Sequence, residues 1–205
     1  MTDFLIESQC LAPVPTYQIL RHKDNAIIEV HENYQKRSFR NRFIVAGPNG
    51  IEGFTIPLMK GKNQRMKISS VQIAYDEDWM RDLSRMLQTN YGSAPFYQHY
   101  IDSLMAVFQR KEQYLLDLNT NLLQWTLKVL RLNTTVQKSN EYESIISSEV
   151  QDMRNEITPK SLKAKTGNVI YNQVYEERHG FIPNLSILDM IMCCGPESAS
   201  LLQSK

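Results

Sequence analysis

At Asp76 the apolar residues of this chain change their spacing, and that change limits what it can build. Before it they come in short runs of strand length: Phe4-Leu5-Ile6, Ala26-Ile27-Ile28, Phe43-Ile44-Val45-Ala46 and Val71-Gln72-Ile73. After it they recur three and four apart. Trp79, Leu83, Met86 and Leu87 mark one helix that Gly92 closes. Phe96, Tyr100, Leu104, Val107 and Phe108 mark a second, with Pro95 in its first turn. Leu115, Leu118, Leu122, Trp125, Val129 and Leu132 mark a third over about 112–132. The expected fold is α/β, with a mixed β-sheet in the N-terminal half (1–75), a helical C-terminal half (76–205) and one domain over 1–205; α+β is the alternative.

Local chemistry refines this outline. Leu11-Ala12-Pro13-Val14-Pro15 delays helix formation, so a short helix is expected from Thr16 to His22, between strands at 3–7 and 26–32. Strand, helix, strand in that order predicts a parallel pair. Gly47-Pro48-Asn49-Gly50 predicts a hairpin of 39–46 with 51–58, and 71–75 is expected to complete the sheet. Asp76 is the expected cap of the first long helix, and Thr134 to Lys138 is a further strand candidate. Asn184 or Ser186 is placed to cap a helix stopping near Gly195-Pro196, with a last short helix from Glu197.

The segment His31 to Arg42 does not suit a simple turn. A hairpin turn is made of Gly, Pro, Asn and Asp, whereas here stand His31, Glu32, Asn33, Tyr34, Gln35, Lys36, Arg37, Ser38, Phe39, Arg40, Asn41 and Arg42. Alternation sets Phe39, Asn41, Phe43 and Val45 on one strand face and Arg40 and Arg42 on the other, an arrangement for an anion. A solvated edge strand defended by charge is the competing reading. Glu32 is expected at the carboxyl end of its strand, where ligands gather in open α/β sheets. The run Asn155 to Asn168 reads as a long polar, basic loop, either mobile or a lid over phosphate.

Charge and motifs exclude several classes. A net charge of +1 argues against a general nucleic-acid or membrane-surface binder. No stretch reaches the length of a membrane span, and an acid near the N-terminus with no export segment predicts a cytoplasmic protein. Cys10, Cys193 and Cys194 have neither zinc nor disulfide spacing and read as core thiols. His22, His31, His99 and His179 are too dispersed for a metal site, and the chain has no phosphate loop, dinucleotide fingerprint or nucleophile elbow. No metal and no cofactor are expected.

Two blocks, His31 to Arg42 and Arg178-His179-Gly180-Phe181-Ile182-Pro183-Asn184-Leu185-Ser186-Ile187-Leu188-Asp189, together resemble the WbqC-like family. Ile56-Pro57, Tyr114 to Asn119 and Gly195-Pro196-Glu197 follow in the family's order, and the resemblance covers roughly residues 10 to 202. Leu11-Ala12 stand before Pro13 where the family commonly has two aromatics. The resemblance implies a bacterial protein of O-antigen or other surface-polysaccharide synthesis that transfers an acyl or aminoacyl group, glycine included, to an amino sugar. The implied ligand is a nucleotide sugar or another phosphate-bearing small molecule.

Such a transfer needs a base, for which His31 or His179 is the candidate, with Asp189 to orient a histidine. It needs donors for an oxyanion, from Asn41, Gln35 or Tyr34, and cations for phosphate, from Arg40, Arg42 and Lys36. Glu32, Asn184 and Ser186 complete the candidate binding set. A non-catalytic binding or assembly protein that recognises an anionic ligand or partner is the alternative.

Overall fold

The computed structural model describes residues 3–59, 66–143, 150–162 and 169–203. Four strands form a parallel sheet in the order β5-β2-β1-β6: β1 (Asp3–Glu7), β2 (Asn25–Glu29), β5 (Thr135–Lys138) and β6 (Val150–Asp152). The strands β3 (Arg42–Gly47) and β4 (Gly50–Thr55) form a separate antiparallel hairpin. The fold is α/β with both kinds of strand pairing, each kind in its own sheet. Phe4, Ile6, Ala26 and Ile28 pass one face of β1 and β2 into the main core, as side-chain alternation requires.

The helix α1 (Val14–Leu20) crosses from β1 to β2 and begins earlier than the prolines predicted. Pro15 lies in its first turn, where the N–H that proline lacks has no helical partner anyway. β2 stops at Glu29 instead of reaching residue 32, because side chains take over the next amides. Val30 N–H donates to Ser139 Oγ at 3.1 Å, and His31 N–H to Glu29 Oε1 at 2.7 Å.

β3 likewise starts three residues later than expected. The carbonyls ahead of it are claimed elsewhere: Phe39 O by Cys10 N–H, Arg40 O by the Asn119 amide and Asn41 O by Ile56 N–H. The expected strand at 71–75 reduces to the isolated bridges Leu58 to Ile73 and Gln72 to Tyr114, after a 3-10 turn at Ile68–Ser70.

The helices α2 (Trp79–Tyr91), α3 (Tyr97–Phe108) and α4 (Leu115–Val129) sit where the spacing placed them. Asp78, not Asp76, caps α2, accepting from Arg81 N–H. After β6 come α5 (Pro159–Leu162), α6 (Glu176–His179), α7 (Ile187–Cys194) and α8 (Ser198–Leu201). Every residue of α7 is buried, Asp189 included, so this helix runs through the core rather than over it. Ser186 caps it, and Gly195 ends it at φ +52°. Cys10, Cys193 and Cys194 are buried and free. Among the described residues no helix is long and apolar enough to cross a membrane.

Candidate functional site

All four strands of the parallel sheet deliver their carboxyl ends to one edge. The chain builds outward from β1 to β2 to β5, then reverses to set β6 on the other side of β1. Ligands of open α/β sheets gather where the order reverses, here between the ends of β1 and β6.

Buried charge is concentrated at this edge. Glu7 ends β1, Glu29 ends β2, and Glu32 stands three residues beyond; all three are buried, as is Arg40, which is 0% exposed. Arg40 grips Glu32 through Nε to Oε1 (2.7 Å) and Nη2 to Oε2 (2.5 Å), and Nη2 also donates to Asn155 Oδ1 at 3.0 Å. Asn155, at φ +63°, returns its backbone N–H to Glu7 Oε2 at 2.8 Å. Asn119 of α4 donates to Arg40 O and to Ser8 Oγ, fixing the arginine's backbone. Burial pushes the Glu32 carboxyl up against the pull of Arg40, and Glu7 and Glu29 push the same way.

A second arginine serves the other strands. Arg154 Nη1 reaches Glu29 Oε2 at 3.2 Å while Nε and Nη2 fork onto Asp152. Hydrogen bonds from Arg154 hold the Asp152 carboxyl below its ordinary value. The guanidinium carbon lies 5.0 Å from the centre of the Tyr142 ring, within cation–π range.

Over this network opens a polar cleft of about 360 Å³, within the range of small-molecule sites. His31, Glu32, Asn33, Tyr34 and Gln35 line it together with Lys67, which is bridged to Asn33, and with Tyr142, Arg154 and Asn155. His31 Nε2 lies 3.1 Å from Ser139 O. A carbonyl only accepts, so Nε2 is the donor, which leaves Nδ1 as the nitrogen that carries the lone pair whenever the ring is neutral. Lys67 Nζ donates to His31 O at 2.6 Å and has two N–H bonds to spare. Tyr34 OH donates to Asn41 Oδ1, whose amide donates to Ile56 O, and burial pushes the Tyr34 phenol up. A second cavity, of about 390 Å³, opens beside the first over Leu5, Ile27 and Val150, with Glu29 and Ser139 in its wall.

The sequence-predicted residues divide accordingly. His31, Glu32, Tyr34 and Gln35 line the cleft, Arg40 lies buried with Glu32, and Asn41 backs Tyr34. Lys36 and Arg42 are exposed, and Arg42 lays its guanidinium across Gly53, where a Cβ would strike it. The row of arginines on one strand face is therefore not formed: Arg40 precedes the strand and spends its charge on Glu32.

The second block lies elsewhere. His179 Nε2 is 3.1 Å from Pro48 O, Asn184 donates to Leu162 O, and Ser186 Oγ donates to Leu11 O. Asp189 orients no histidine. It accepts from Tyr91 OH (2.7 Å), Tyr171 OH (2.8 Å) and Gln173 Nε2 (3.1 Å), and burial raises its carboxyl despite these donors.

Sequence reasoning missed Glu7, Glu29, Asn119, Lys67, Tyr142 and Arg154, and had Asn155 only as the start of the polar loop. One signal was available: β1 and β2 each end an apolar run in Ile-Glu, Ile6-Glu7 and Ile28-Glu29. Of the long basic loop, 155–162 carries Asn155 and α5, while 163–168 lies outside the described residues, as do Lys60, Lys62 and Arg65. Among the described residues no group of three His, Cys, Asp or Glu is placed to hold a metal ion.

The chain is similar to the uncharacterized protein Rv1507c of Mycobacterium tuberculosis (strain ATCC 25618 / H37Rv), at 27% identity over 128 residues. That match covers 62% of this chain and 55% of the relative, so the chain spans about half of that protein. No solved structure matches. The match to the family model ends at residue 166, so it takes in the cleft block, Lys67, Asn119, Arg154 and Asn155 and leaves the second block outside. With residues 11–166 matched by that model, the chain belongs to the WbqC-like protein family.

Proposed function

We propose that this chain transfers an acyl or aminoacyl group to the amine of a phosphate-bearing amino sugar, in the synthesis of O-antigen or another surface glycan. The observation that carries the reading is the cleft at the switch edge of the sheet, which His31, Lys67, Asn33 and Gln35 line together. The sugar's amine attacks the carbonyl of an activated acyl donor; the C–N bond forms, the bond to the donor's leaving group breaks, and the amine's proton passes to His31 Nδ1. Lys67 supplies a cation for phosphate, and the amides of Asn33 and Gln35 supply donors for the oxyanion. Arg40 holds Glu32 and the cleft floor in place and takes no part in gripping the ligand.

The test is a mass-spectrometric screen of amino-sugar nucleotides with thioester and acyl-phosphate donors, run on the wild type and on His31→Ala. Transfer that falls at least about a hundredfold in the variant, with its melting temperature kept, supports the reading. Undiminished transfer in His31→Ala removes the histidine from the mechanism.

One observation favours the non-catalytic alternative. His31 and His179 each set a ring nitrogen against a backbone carbonyl, and among the described residues neither ring is hydrogen-bonded to a carboxylate. That reading expects a ligand-induced rise in melting temperature with no transfer under any donor.

A further inference from the structure

Tyr142 is 55% exposed, yet it is held in place. Arg154 lies on its ring at 5.0 Å and is itself fixed by Asp152 and Glu29. With Nε, Nη1 and Nη2 each bonded to a carboxylate, Arg154 has its charge compensated and makes a poor phosphate grip; its planar head serves instead as a stiff support under the ring. A surface tyrosine normally loses rotamer freedom when it binds something, and here the contact with Arg154 meets part of that cost in the free protein. Tyr142 and Arg154 both line the cleft, whose other lining is almost wholly polar.

We propose that Tyr142 is the stacking platform for the base of a nucleoside diphosphate group, with the diphosphate directed to Lys67. The inference rests on the phosphate-bearing substrate proposed above and adds the nucleoside to it. Its chemistry is general. Every base presents a π-face, and stacking on an aromatic side chain is sequence-tolerant, so the platform selects for a nucleoside without reading which one. An electron-rich ring carrying a cation on one side offers such a surface, whereas the amides and the ammonium around it suit the phosphate and sugar oxygens.

The experiment is calorimetric titration of the full chain with uridine diphosphate, adenosine diphosphate and inorganic pyrophosphate. It is repeated on Tyr142→Ala, Tyr142→Leu and Tyr142→Phe, each checked for an unchanged melting temperature. Expected is tighter binding of both nucleotides than of pyrophosphate, by roughly ten- to a hundredfold from stacking. That margin is lost in Tyr142→Ala, sharply reduced in Tyr142→Leu, which keeps apolar bulk without a π-face, and kept in Tyr142→Phe. Pyrophosphate affinity stays the same in all four proteins. Equal binding of nucleotides and pyrophosphate, unchanged by Tyr142→Ala, overturns the platform and leaves the phosphate reading standing. Failure of all three probes on the wild type overturns the phosphate reading itself, and the platform with it.

Discussion

Arg40 and Glu32 face one another through two parallel hydrogen bonds, with Arg40 0% exposed and Glu32 buried beside it. An exposed ion pair is worth little, but a buried one behaves differently, because removing either partner strands the other's charge away from water. Arg40→Ala is therefore expected to lower unfolding stability by about 3–5 kcal/mol. The double replacement Arg40→Met with Glu32→Leu should recover much of that loss, since the stranded charge is gone. Urea denaturation of the three proteins decides it. If Arg40→Ala leaves the midpoint untouched and weakens only ligand binding, the arginine belongs to the ligand after all.

Asp189 gives a prediction in pH. Burial holds its carboxyl above the ordinary 3.8 in the folded chain. Below that value both states carry the proton. As the pH rises from about 4 through the raised native value, the unfolded chain releases its proton first, and stability falls. Asp189→Asn has no proton to release, so the wild type's stability relative to the variant should decline across that window. Denaturation midpoints at half-unit steps from pH 4 to 7 check it, and a constant difference between the two proteins would show that the carboxyl is not raised.

Gly195 and Gly180 separate backbone strain from crowding. Both have positive φ, +52° and +67°, but a Cβ at Gly195 would overlap the Phe96 ring while one at Gly180 would meet nothing within 4 Å. Gly180→Ala is expected to cost about 1–3 kcal/mol of backbone strain. Gly195→Ala should add a further overpacking cost of about 1–3 kcal/mol. Phe96→Leu in the Gly195→Ala background should relieve part of that second term. Thermal melts of the single and double variants measure it, and equal losses at the two glycines would exclude the Phe96 contribution.

What could be read from the chain was what repeats locally. The apolar run of β1, the turn between β3 and β4, the leucines of α4 and the serine cap of α7 each sit within a few residues of their cause. β6 is three residues long, Val150-Gln151-Asp152, and has no apolar pattern of its own; only pairing with β1 makes it a strand. The site followed the same division. The crowding of polar residues from His31 to Gln35 is local and led to the cleft. That Arg40 is buried depends on Glu32, eight residues back, and on Asn155 and Asn119, which the chain brings in from far along its length. An arginine's position in an alternating pattern says which way it points, not whether a carboxylate waits there.

The placement of β6 also bears on how the chain is made. β1 takes β2 on one side once the chain is free through Glu29, but its other side is filled only when Val150 comes to lie opposite Asp3. Until Val150 emerges, then, one side of the central strand is an open row of amide and carbonyl groups, the kind of edge that pairs with other chains. The long-range parallel pairing that completes the switch edge is also the slow kind to form. A ribosome-stalled chain ending before residue 150 is the form in which aggregation should be worst, and lengthening it past Asp152 should end that exposure.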